Sequence, residues 1–183
     1  QDFNLSNLET QRQVNPLPIV HLATHADFLE ADPRRSYIQF YNKRLELPEW
    51  RQLDLNLPAT DLLVISACST AVGNSDAELG FGGMAVQAGV KTSLASLWPV
   101  GDLGTVGLMD SFYRSLKTVP IKSEALQMAQ RALLSGQYQW SNNQLVSPHG
   151  TIDFPEVDSQ AIGQTDLSHP YYWAAFMMIG SPW

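Results

Sequence analysis

One cysteine in 183 residues excludes an intrachain disulfide, and a lone thiol fits a reducing, cytoplasmic setting best. Basic residues are few as well: 11 Lys and Arg stand against 18 Asp and Glu, for a net charge of −7 and a pI of about 4.9. No basic cluster is larger than Arg34-Arg35, which argues against a surface that contacts nucleic acid. Long apolar runs are missing. None approaches the ~18 residues that span a bilayer, and the N-terminus lacks the basic-then-apolar layout of a signal peptide. No membrane partner is therefore expected. A phosphate loop is missing too, because Gly80, Gly82 and Gly83 match neither a dinucleotide fingerprint nor a Walker loop. The chain begins at Gln1 rather than Met, and reads as a piece of something longer, cut by cloning or by processing.

What is present is ordinary globular composition, 44% hydrophobic and 16% charged. The length predicts a single domain, 1–183, large enough to bury a core. Residues 1–18 are polar, end in Pro16 to Pro18, and read as a connector. Ile19 to Ala23 is a short apolar run, predicted to be a buried strand with His21 in the core. Ser36 to Tyr41 alternates like a strand nearer an edge. Asp61 to Ser66 is the clearest buried strand. A loop of Gly and small residues, Gly73 to Gly83, leads to a short helix over Met84 to Ala88 that Gly89 closes. Thr92 to Leu97 is another strand. Helical spacing follows over Asp102 to Lys117, and again over Ser123 to Leu134 behind Pro120. Residues 135–168 have no convincing period and read as a long surface loop. Tyr171 to Gly180 is predicted as a last buried strand. Alternating strands and helices define the α/β class, with a mostly parallel sheet flanked by helices.

Sites in such sheets form outside the carboxyl ends of the strands. Three predicted strand ends carry reactive residues: His25 after the first, Cys68 after the Asp61 to Ser66 strand, and Asp102 beyond the Thr92 to Leu97 strand. Parallel neighbours would turn all three toward one crevice. A thiol nucleophile needs a proton acceptor and a departing amine needs a donor, and one imidazole serves both needs. Plainer readings stand beside this one. A cysteine at the end of an apolar strand is often a small buried hydrophobe, His25 is then a hydrogen-bonded structural residue, and Asp102 is a helix N-cap. No third ligand lies near His21 and His25, so no metal is expected. From bulk features alone, a small-molecule-binding α/β domain also remains open.

Six segments, taken together, point further: His21 to His25, Leu62 to Thr70, Leu97 to Asp102, Phe112-Tyr113, Glu124 to Gln130 and His169 to Phe176. In this order, from about residue 18 to the end, they resemble the CHAT domain, a caspase-like domain associated with tetratricopeptide repeats and related to separase and the caspases. Caspases carry the catalytic histidine roughly 50 residues before the cysteine; here His25 precedes Cys68 by 43. The resemblance implies a Cys-His dyad endopeptidase on a caspase-like fold, without a cofactor. Cys68 would be the nucleophile and His25 the acid/base. The backbone N–H groups of Cys68 and Ala26 would hold the oxyanion. Where the family usually has glycine after the histidine, this chain has Ala26, which keeps the N–H. Family members commonly have a second acid just before Asp102, where Gly101 stands here. By likeness to separase, Asp102 would bind a basic side chain before the scissile bond. The family domain normally begins further upstream, so the N-terminal part of that domain is expected to be missing. The partners implied are a protein substrate and either upstream helical repeats or that missing part; members are mostly bacterial. A catalytically inactive caspase-fold scaffold is the alternative.

Overall fold

The computed structural model describes residues 3–29, 31–53, 55–66, 80–155 and 165–183. Along the chain come α1 (Leu5–Val14), β1 (Ile19–Leu22), β2 (Ala26–Asp27), β3 (Tyr37–Gln39), β4 (Arg44–Glu46) and β5 (Leu62–Ile65). They are followed by α2 (Gly80–Gln87), β6 (Thr92–Ser96), α3 (Asp102–Ser115) and α4 (Lys122–Leu134). The last elements are β7 (Gln139–Ser141), β8 (Gln144–Ser147), β9 (Gly150–Asp153) and β10 (Phe176–Gly180). The chain divides into two compact units: Gln1–Pro99 with Phe176–Pro182, and Val100–Ala175 with Trp183. The class is mixed α/β, with a mostly parallel sheet flanked by helices, as the sequence predicts.

That sheet lies in the first unit, with strand order β1-β5-β6-β10. β1, β5 and β6 run parallel, with Leu22 beside Ile65 and Val64 beside Leu94. β5 reads Leu-Leu-Val-Ile and is buried at every position, because a central strand is covered on both faces. β1 differs from the prediction. As an edge strand it buries only Val20 and Leu22 and exposes Ile19 and His21, so His21 is not a core residue. The last strand is likewise shorter than predicted and antiparallel to β6. Pro170 starts a 3-10 turn there, and the His169 ring caps it by accepting from the Tyr171 N–H.

α2 packs against β6 and β10 and starts at Gly80, inside the stretch predicted as loop. Glycine is a poor helix former, but here it lets the helix sit close to the sheet. A Cβ on Gly82 would stand 2.7 Å from Ile179 Cδ1, and Ser93 Oγ donates to the Gly82 carbonyl at 2.8 Å. Gly89 closes the helix as predicted, at φ +100°. Beneath lies an apolar cluster in which Trp50 stacks on Phe81 at 5.4 Å and Phe28 meets Phe81 edge-on at 5.7 Å.

The segment 1–18 is more than a connector. Asn4 caps a ten-residue helix by accepting from the Asn7 N–H, and Leu5, Leu8 and Arg12 recur at helical spacing. Leu5 and Leu8 touch the core cluster. Arg12 is buried, and its guanidinium donates to the carbonyls of Leu53 and Pro58 and to Thr60 Oγ1.

In the second unit α3 and α4 pack on each other. α4 buries Ala125, Leu126, Ala129, Ala132 and Leu133, a single stripe on a helix of 3.6-residue period. The stretch 135–168, predicted as loop, carries the antiparallel meander β7-β8-β9 between Gln139 and Asp153. Asn142 and Asn143, at φ 51° and 58°, form the two-residue turn that joins β7 to β8. Both must adopt left-handed backbone, a conformation asparagine tolerates. Tyr138 ties the meander to α3 by donating from its hydroxyl to Asp110 Oδ2 at 2.8 Å. Burial opposes the charge on Asp110, but bonds from Arg114 and Tyr138 outweigh it and hold the carboxyl below its ordinary range. Burial, helped by Asp110, pushes the Tyr138 phenol up.

Candidate active site

In the run from Ile19 to Ala26, positions 19, 21, 23 and 25 are exposed, Val20, Leu22 and Ala26 are buried, and Thr24 is half-buried. The apolar half anchors this segment in the core cluster. The outward half carries both histidines. Past a bend at Thr24 the chain joins a second, three-stranded sheet in which Ala26 pairs with Ile38. Two bonds hold the His25 backbone there: Gln39 N–H donates to the His25 carbonyl at 2.8 Å, and Thr24 Oγ1 donates to the Gln39 carbonyl at 2.6 Å. The imidazole is exposed at the end of a firmly tied segment.

Ala26 is the second predicted site residue within the described chain. In an antiparallel ladder, hydrogen-bonded and non-bonded pairs alternate. Since His25 and Gln39 form a bonded pair, Ala26 and Ile38 form a non-bonded one, and the Ala26 N–H points away from β3. β2 is the outer strand of that sheet, so this donor is turned off the edge. Ala26 is not among the described non-glycine residues with positive φ, so the alanine occupies its position without backbone strain.

Cys68 lies outside the described residues, as do Ala67 before it and Ser69 and Thr70 after it. What is described is the strand that leads to it. β5 is the parallel neighbour of β1, and Leu22 is opposite Ile65. His25 is the third residue after Leu22, and Cys68 the third after Ile65.

Asp102 belongs to the second unit, at the first position of α3. The N-cap is Gly101, at φ −61° and ψ 151°, with no side-chain cap bond. Asp102 is exposed within the first turn, where a carboxylate complements the helix dipole. The capping reading of this residue is therefore off by one position. The second unit also has a cavity of about 590 Å³, lined by Tyr138, Trp140, Asn143, Asp166 and Leu167 among others. Neither His25 nor Asp102 lines it.

Sequence reasoning missed the partner of His21. Its Nε2 lies 2.8 Å from Ser66 Oγ, with the imidazole tautomer deciding which of them donates. Burial lowers the pKa of this ring from 6.5, even though the residue keeps an exposed face. The signal was there to read: Val20 and Leu22 flank His21, and period-two alternation turns it away from them. Among the described residues, no three His, Cys, Asp or Glu side chains cluster as a metal site requires. No described helix is long and apolar enough to cross a membrane.

A mixed α/β fold with a mostly parallel sheet flanked by helices is consistent with a caspase-like fold. The family model of the CHAT domain matches residues 1–181, and the chain belongs to that family. None of the curated proteins matches it.

Proposed function

We propose that this chain is a cysteine endopeptidase of the caspase and separase type, with Cys68 as nucleophile and His25 as acid/base. The observation that carries the reading is the register of the two strands: the catalytic candidates leave β1 and β5 at the same offset from a paired Leu22 and Ile65. In the proposed reaction the Cys68 thiolate attacks the carbonyl carbon of the substrate peptide bond. The oxygen becomes an oxyanion, and the N–H of Ala26 and of Cys68 donate to it. One such donor is typically worth about 10²–10³ in kcat. His25, protonated when the thiolate forms, gives its proton to the amine as the C–N bond breaks, leaving a thioester. It then takes a proton from water, which attacks the thioester, releases the acid and restores the thiol.

A protein substrate with Arg or Lys before the scissile bond would place its cation against the Asp102 carboxylate, in a charge-assisted contact. Regulation by upstream tetratricopeptide-like repeats, or by the missing N-terminal part of the family domain, belongs to the same proposal. The experiment is cleavage of a peptide library by the native chain, Cys68→Ala and Asp102→Asn. Cleavage should vanish in Cys68→Ala, and the basic preference should fade in Asp102→Asn while turnover persists. Cleavage that survives Cys68→Ala overturns the mechanism, and an unchanged profile in Asp102→Asn overturns the pocket. Intact binding of protein partners without any turnover would favour the inactive scaffold instead.

A further inference from the structure

We propose that the cavity of the second unit, walled by the β7–β8 hairpin and residues 165–168, is a separate binding site that takes an arginine side chain of a protein partner against the Trp140 indole and the Asp166 carboxylate. It does not depend on the reading of Cys68, since every residue of its wall is described and belongs to the second unit. Both walls are tied down. On the hairpin side Tyr138 is buried and bonded to Asp110, and Asn142-Asn143 form the turn. Phe154 meets the Trp140 indole edge-on at 5.6 Å, and its N–H donates to the Asn143 carbonyl at 2.9 Å. On the other side Leu167 is buried, Trp173 Nε1 donates to the Ser168 carbonyl at 2.9 Å, and His169 N–H donates to the Asp166 carbonyl at 3.2 Å. A site held this way has less ordering entropy to lose when a ligand enters.

The chemistry of the wall selects the ligand. Ser168 donates its N–H and its hydroxyl to Asp166 Oδ1, at 2.9 and 2.7 Å, and these bonds hold the carboxyl below its ordinary range. Asp166 is therefore ionised at neutral pH, and its Oδ2 bonds to no described residue. None of the described residues lining the cavity is Lys, Arg or His, so an anion meets no cation there. Trp140 is half-buried, and an indole is the best aromatic partner for a cation. A guanidinium is planar and can stack on an aromatic face while it donates to a carboxylate, which an ammonium cannot do. The volume of about 590 Å³ exceeds what one guanidinium needs and lies in the usual range of ligand sites, about 300–1,000 Å³. The side-chain amides of Gln139 and Asn142 line the same space and offer donors and acceptors to the peptide backbone on either side of the arginine.

The test is a titration followed by ¹H–¹⁵N NMR, read at the Trp140 indole N–H and at the backbone amides of residues 166–168. The full chain is used with Cys68→Ala, so that no peptide is consumed whatever the activity. The probes are the blocked tripeptide Gly-Arg-Gly and its citrulline counterpart, which keeps the shape and loses the charge. The arginine peptide should shift these resonances, and the citrulline peptide should bind about tenfold more weakly. Asp166→Asn keeps the acceptor that Ser168 uses and removes the charge, and should weaken the arginine peptide about fivefold. Trp140→Leu, read at the amides of 166–168, should weaken it about threefold. Asp32→Asn removes an equally exposed charge in the first unit and should leave the titration unchanged. The spectra themselves report folding, and Asp166→Asn carries the test if Trp140→Leu fails to fold. Equal binding of the arginine and citrulline peptides overturns the proposal. So does native affinity in Asp166→Asn, or a loss in Asp32→Asn as large as in Asp166→Asn, which would mean attraction by net charge alone. Shifts at Trp140 with maltotriose and none with the arginine peptide would also overturn it, and would make the cavity a saccharide site.

Discussion

Arg12 is the one buried charged side chain among the described residues, and its guanidinium donates to three oxygens of the 53–60 segment. Hydrogen bonds to a charged group contribute about 1.5–3 kcal/mol each when the alternative is an unpaired buried acceptor. Arg12→Ala is expected to lower stability by roughly 3 kcal/mol and to free α1 from the 53–60 segment. Urea unfolding with amide exchange of residues 5–14 checks it. His21 gives a pH signature of defined sign. Its folded pKa lies below its unfolded value of 6.5, so the unfolded chain binds the extra proton. The contribution is fully present above that pH and is lost as pH falls below it. His21→Gln should therefore show a smaller drop in urea midpoint on mild acidification than the native chain. An equal drop in both would assign the acid sensitivity to other groups. His21 was misread from sequence as a core residue because it lies inside an apolar run, although its alternation with Val20 and Leu22 turns it outward.

Strands and helices were legible where period and punctuation agreed. β5, with four consecutive buried apolar residues behind Pro58, and α4, with its 125-126-129-132-133 stripe, have almost the predicted bounds. Legibility failed where a residue's ordinary preference is overridden by packing. The glycines at the start of α2 look like loop, but they are what close helix–sheet contact demands. The Asn142-Asn143 pair is a hairpin signal, yet it sits in a polar stretch whose strands have too few apolar residues to announce themselves. Gly89 tests the turn chemistry. At φ +100°, with an added Cβ meeting Asn56 Cβ at 2.5 Å, Gly89→Ala is expected to cost about 2 kcal/mol. A thermal melt shift of several degrees would match; an unchanged melt would show that the α2–β6 turn can relax.

Taken whole, the molecule separates what a chain reading can deliver from what geometry adds. The α/β class and the three parallel strand ends were visible because apolar runs, small residues and turn signals recur in a fixed order. The family membership was visible because six short segments keep their order across the chain. The outward turn of the Ala26 N–H and the His21–Ser66 bond were not, because both depend on which strands pair and in what register. A peptidyl electrophile ending in arginine, incubated with the full chain and mapped by mass spectrometry, bears most directly on the Cys68–His25 dyad. The native chain should carry one adduct, on Cys68; Cys68→Ala should carry none; and His25→Ala should label at least about a hundredfold more slowly. Labelling of Cys68 at the same rate in the native chain and in His25→Ala, or no faster than in the urea-unfolded chain, would contradict it.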